Sequence, residues 1–188
     1  MLDESQAALF TAFLGSKRIA SGPLEQVALA AKKAVDRGAK QPVFIYNDST
    51  GRAIDIDSRG SDAELLARLT RPSPPSRPRG RGRPRLGVIA REVTLLPRHW
   101  QWLGSQPGGA SVAMRKLVET ARRANQEIDQ RRQQQEAAFH FMSAMAGNRA
   151  NFEEACRSLF AGERERFEKL VAEWPADVCE HAVKLGFG

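Results

Sequence analysis

Thr11-Ala12-Phe13-Leu14-Gly15-Ser16-Lys17-Arg18-Ile19-Ala20-Ser21-Gly22-Pro23 reads as two short β segments folded about a Gly-Ser-Lys turn, with a proline placed where a helix opens. The helix follows, because Leu24, Val27, Ala28, Ala31, Ala34 and Val35 recur at three-to-four spacing until Gly38 stops the run. A second hairpin comes next. Val43-Phe44-Ile45-Tyr46 and Ala53-Ile54-Asp55-Ile56-Asp57 surround the turn formers Asn47-Asp48-Ser49-Thr50-Gly51. Strand alternation sends Ile54 and Ile56 to a core and Asp55 and Asp57 to solvent. With Asp48 these carboxylates have the chemistry for cation binding or acid/base work. No motif-spaced partner accompanies them, and a solvated strand face accounts for them. Ser61 or Asp62 then caps a short helix through Leu65, Leu66 and Leu69. Residues 1–70 thus predict a small N-terminal α/β hairpin domain, and the fold class of the chain is α+β.

Outward from this domain the composition changes abruptly. Between Arg71 and Arg91 stand seven arginines (Arg71, Arg77, Arg79, Arg81, Arg83, Arg85 and Arg91) and no Asp or Glu. Removing those seven from the 29 Lys plus Arg leaves 22, which balances the 22 Asp plus Glu, so the whole formal charge of +7 resides in that window. Charge this local makes a short-range field suited to a polyanion, of which nucleic acid is the commonest in a cell. Pro72, Pro74, Pro75, Pro78 and Pro84 forbid regular helix and little apolar surface is present, so residues 71–86 read as a basic Pro/Gly linker that is disordered or polyproline-like when free.

Within it, Arg77-Pro78-Arg79-Gly80-Arg81-Gly82-Arg83-Pro84-Arg85 has its own grammar. Glycine lets backbone lie against a groove floor, Pro84 holds Arg83 extended, and the guanidinium groups reach along the groove both ways. Arg81-Gly82-Arg83-Pro84 resembles the core of an AT-hook, which implies binding in the minor groove of A·T-rich DNA. The alternatives are a solvated basic linker or a strip for RNA or an acidic partner.

Residues 87–135 change pattern again. Arg91-Glu92-Val93-Thr94-Leu95-Leu96 is a run of β formers, and Pro97 opens a helix through Arg98-His99-Trp100-Gln101-Trp102-Leu103. Pro107-Gly108-Gly109 breaks that helix. A second follows, capped by Ser111 and carrying Val112, Met114, Leu117, Val118 and Ala121. Strand, helix, Gly-x-Ser-Val and amphipathic helix together resemble the ribbon-helix-helix DNA-binding repressors over about 91–123. That resemblance implies two chains pairing their strands in the major groove, with Arg91 and Thr94 at the DNA and the second helix clamping a phosphate near Ser111. A helix-turn-helix on the same two helices, or a strand and two helices packing on the rest of the protein, are the other readings. Trp100 and Trp102, two apart, cannot share a helix face, so one is expected in a core and the other over an interface or linker.

Arg122 to Glu136 is very polar and helical in composition, expected to extend the second helix into solvent. Residues 136–188 then predict four short helices, 137–146, 151–161, 163–174 and 176–185, punctuated by Gly147, Gly162 and Pro175. Phe139, Phe141, Met142, Phe167 and Trp174 are among the apolar residues that supply them a satellite core, as a helical cap or dimerisation module. Cys156 and Cys179 read as buried thiols. Cys179-Glu180-His181 lacks the second close pair a zinc site needs, and His181 reads as a helix-surface residue.

Thr11-Ala12-Phe13 with Ile19 to Pro23, Asp48-Ser49-Thr50-Gly51-Arg52, and Arg81 to Arg85 running into Arg91 to Trp100 also make most of the chain similar to a bacterial family of unknown function, which implies one family across the chain and no particular activity. No apolar run reaches the roughly 18 residues of a membrane span, and the first residues lack signal-peptide order, so a cytoplasmic, nucleoid-associated protein is expected. No phosphate loop, dinucleotide fingerprint or paired Cys ligands appear, hence no catalytic residue, metal or cofactor is assigned. The functional expectation is a dimeric bacterial transcriptional regulator binding double-stranded DNA through Arg77, Arg79, Gly80, Arg81, Gly82, Arg83, Pro84, Arg85, Arg91, Thr94 and Ser111. An architectural nucleoid protein with A·T preference and an RNA- or protein-interaction module with a basic arm are the alternatives.

Overall fold

Both hairpins form, and they join into a single sheet. In the computed structural model, which describes residues 8–70, Ile89 and residues 91–188, β1 (Phe10–Leu14) and β2 (Lys17–Gly22) are antiparallel about Gly15-Ser16, and β3 (Val43–Asn47) and β4 (Arg52–Ile54) about the Asp48 to Gly51 turn. β1 also pairs with β3, giving the order β2-β1-β3-β4. α1 (Leu24–Asp36) starts after Pro23, as its position implied. α2 (Asp62–Leu69) starts at Ser61, whose hydroxyl accepts from the Glu64 amide while the Glu64 carboxylate accepts from the Ser61 amide; this capping box pulls the Glu64 carboxyl below its ordinary range.

The register decides which residues share a face. Phe10, Ala12 and Ile45 lie on one side of the sheet with Val27 and Ala31 of α1, while Phe13 and Tyr46 lie on the other. β1 is therefore buried on both faces, with Thr11, Ala12 and Phe13 wholly inaccessible. Thr11 satisfies its hydroxyl against Ser21 Oγ at 3.1 Å. A shift in the β1–β2 register leaves Ile19 as an extra residue between the Ala12–Ala20 and Phe13–Arg18 pairs. That bulge returns Ile19 to the α1 side and brings Arg18 to the side of Phe13.

The second face is covered by the end of the chain. α5 (Gln126–Ala146), α6 (Phe152–Ala161), α7 (Arg164–Val171) and α8 (Ala176–Phe187) build one core with Phe13 and Tyr46, through Phe141, Met142, Leu159, Phe167, Val171, Val178 and Ala182 among others. Phe141 packs edge-on to Tyr46 at 5.0 Å and tilted on Phe13 at 5.4 Å between ring centroids. The helices expected at the C-terminus are present, but they are not a separate module. The chain divides instead into a discontinuous unit, Met1–Arg71 with Asp129–Gly188, and a second unit, Pro72–Ile128. The reason is physical: a sheet with large apolar residues on both faces needs a layer on each, and α1 covers only one.

Gly51 marks the tightest approach. It has φ of +64°, and a Cβ there would lie 1.7 Å from the carbonyl oxygen of Ala137 on α5. Replacing Gly51 by Ala therefore combines left-handed strain with a backbone clash. Urea denaturation should show a loss of at least about 2 kcal/mol, the scale of the backbone strain alone.

Candidate functional site

The second unit is built on two helices. α3 (Pro97–Ser105) has Pro97 at its first position, as expected, and α4 (Gly109–Ala124) begins after Gly108 and Gly109, both at positive φ. The expected cap is corrected here: Gly108 is the N-cap, with no side-chain hydrogen bond, and Ser111 lies inside the first turn, where its carbonyl accepts from Arg115 Nε at 3.1 Å. The glycines impose this shift, since a left-handed N-cap turns the chain before Ser111 is reached. No acidic residue stands in that first turn. Residues 91–96 carry no strand pairing among the described residues, and Arg91 and Thr94 are exposed. Arg77, Arg79, Gly80, Arg81, Gly82, Arg83, Pro84 and Arg85 lie outside the described residues.

Little of this unit is buried. Leu103 and Ala113 are, but Val93, Leu96, Leu117 and Val118 are exposed, and Trp100 and Trp102 remain 46% and 52% exposed. Neither tryptophan anchors a core, contrary to expectation. Leu95, His99, Trp102, Leu103, Met114 and Leu117 line an apolar cavity of about 290 Å³ between α3 and α4. On the polar side of α4, Glu119 engages both Arg122 and Arg123, which hold its carboxyl down to about 2. Arg132 is similarly paired with Asp129 at 2.6 Å. The polar stretch also does not continue α4, because Asn125 ends that helix and α5 begins at Gln126.

A second cluster lies in the discontinuous unit, where sequence reading saw none. The β3–β4 turn is fixed by the Asp48 amide donating to the Leu9 carbonyl at 2.9 Å and the Ser49 amide to Asn47 Oδ1 at 2.8 Å. It places Asp48 against α8, with Oδ2 at 2.9 Å from Lys184 Nζ and Oδ1 at 3.5 Å from His181 Nε2. Asp48 is thus separated from Asp55 and Asp57. Asp55 is exposed, and Asp57 is ion-paired with Arg59, which drives its carboxyl well below the usual range. His181 is a correction: it is wholly buried, not on the helix surface. One step past Glu180, it is turned inward by the helical period while Glu180 reaches Arg18 at 2.5 Å. Among the described residues no group of three or more His, Cys, Asp or Glu is arranged to hold a metal ion.

Cys156 and Cys179 are half-buried and free, and burial raises both thiols above their ordinary value, seconded by Glu153 at Cys156 and by Glu168 and Glu180 at Cys179. Thiolate is the reactive form, so the native protein at pH 7 should react with a disulfide reagent several-fold more slowly than the same protein in urea. Equal rates would contradict the burial.

No helix among the described residues is long and apolar enough to cross a membrane. Comparison with curated proteins and with solved structures returns no match. Residues 9–186, nearly the whole chain and both units, match a family described as an uncharacterized protein conserved in bacteria (DUF2239), and the chain belongs to that family.

Proposed function

We propose that this protein binds double-stranded DNA as a dimeric bacterial transcriptional regulator, with a minor-groove arm at Arg77 to Arg85 beside a folded reader at 91–124. One observation carries the reading: the entire net charge of +7 stands in a 21-residue window without an acidic residue, and that window contains Arg81-Gly82-Arg83-Pro84. The rest of the protein supports it by contrast. Arg122 and Arg123 of α4 and Arg132 of α5 are answered by Glu119 and Asp129 on the same helices, whereas the arm has no acid of its own. Arg91 and Thr94, exposed just ahead of α3, and the uncapped, acid-free start of α4 near Ser111 suit contacts to phosphate or base edges beside the arm.

Dimerisation follows from the same unit. A segment of β formers without a strand partner among the described residues, next to helices that leave Leu117, Val118 and Trp102 exposed, suits pairing with a second copy in the ribbon-helix-helix manner. The bound pair would present two arms and two readers. An architectural role, coating A·T-rich DNA with little operator selectivity, uses the arm without the reader.

Two measurements test this. With about five to seven arginines neutralising phosphates, log affinity for an A·T-rich duplex should fall against log salt with a slope of roughly −4 to −6, at about −0.9 per contact. Changing Arg81 and Arg83 to Ala should flatten the slope and remove preference over G·C-rich and random duplexes; wild-type binding by that double variant would overturn the arm assignment. Light scattering should give a dimer at micromolar concentration, and Leu117→Glu should give a folded monomer with weakened DNA binding. A dimer that survives Leu117→Glu would place the subunit contact elsewhere.

A further inference from the structure

His181 joins α8 to the sheet through an unusual environment. Its ring is wholly buried between Phe13 at 5.5 Å and Phe141 at 4.6 Å, both edge-on. Neither Nδ1 nor Nε2 has a hydrogen-bond partner among the described residues, and neither does Asp48 Oδ1, 3.5 Å from Nε2. A neutral imidazole fits such a site through its ring contacts. An imidazolium would need both ring N–H groups and its charge answered there; Asp48 turns Oδ1 to Nε2 at 3.5 Å but shares its charge with Lys184 at 2.9 Å through Oδ2, and Nδ1 has no acceptor among the described residues.

The surrounding charges do not rescue the protonated form. Burial opposes it most strongly; Asp48 favours it, Lys184 and Arg18 oppose it, and Glu180 adds a smaller favourable contribution. Asp177, also on α8, is occupied by the Arg18 amide at 2.8 Å. From the sheet, Tyr46 keeps its phenol proton because burial raises it, and from α5 comes Phe141, while His140 accepts from Arg52 at 3.0 Å. The balance holds the His181 imidazole below its ordinary value.

We propose that His181 is an acid-sensitive latch: neutral, it allows α8 to seat on the sheet beside Asp48, and protonated, it releases α8 from that face. The direction follows from linkage. A base whose folded value lies below its unfolded value of about 6.5 contributes stability that is present above that pH and is lost as pH falls further. The opening is assigned to α8 because that helix carries the imidazole, which packs on Phe13 of the sheet and Phe141 of α5, while α1 closes the opposite face.

Amide hydrogen exchange of residues 176–187, corrected for the intrinsic rate at each pH, tests the latch in the full chain. Going from pH 7 to pH 5, wild-type protection of α8 should fall roughly tenfold or more while α1 changes less, and His181→Phe, which keeps an aromatic ring and removes the titration, should retain its α8 protection. Unchanged wild-type protection at pH 5, or an equal loss in His181→Phe, would overturn the proposal. If the phenylalanine variant does not fold, the wild type decides alone: an imidazole midpoint below the ordinary 6.5 by NMR together with α8 protection that falls between pH 6.5 and pH 5 supports the latch, and the lack of either refutes it.

Discussion

The contact of Phe13 and Tyr46 with Phe141 is the constraint on which the larger unit depends. β1 is the second of four strands and carries large apolar residues to both faces, so α1 alone cannot shield it from water. Phe141 and the helices around it provide the missing layer. The chain must therefore return to the first seventy residues after leaving them, and the second unit becomes an insertion between two halves of one core. A double-faced sheet is economical for a chain of this size, because each strand then contributes apolar area twice.

Close approach sets the details. Gly51 lets the β3–β4 turn lie on the backbone of α5, and the same turn sets Asp48 against Lys184 and His181. On the other side of β1, the bulge at Ile19 brings Arg18 to α8, where its amide and guanidinium meet Asp177 and Glu180. The Arg18 contacts are exposed or half-buried, so each adds little stability beside the core. Their effect is on register, because an alternation error of one residue would send Arg18 to the α1 side.

The inserted unit follows a different logic. Among its described residues only Leu103 and Ala113 of the apolar set are buried while Val93, Leu96, Leu117 and Val118 are exposed, and the arginine window carries no acidic residue. Both features are deficits in an isolated chain, and the proposed second copy and DNA duplex are the partners whose chemistry would answer them.

Hairpins and most helix boundaries were legible in the sequence because they are local: Pro23, Ser61, Pro97, Gly162 and Pro175 act within a few residues of where they stand, whereas the Gly108 cap of α4 and its end at Asn125 were missed. The charge of the arm was legible for the same reason. Sequence placed residues 136–188 in a module of their own because amphipathic helices announce an apolar face without naming what covers it. Only the tertiary structure decided that Phe141 meets Phe13, that Gly51 touches Ala137, and that His181 is buried beside Asp48, 133 positions away by the numbering. Helical period alone made His181 as apt for the surface as for the core. Which side it took depended on a sheet assembled at the other end of the chain, and no local signal carries that pairing.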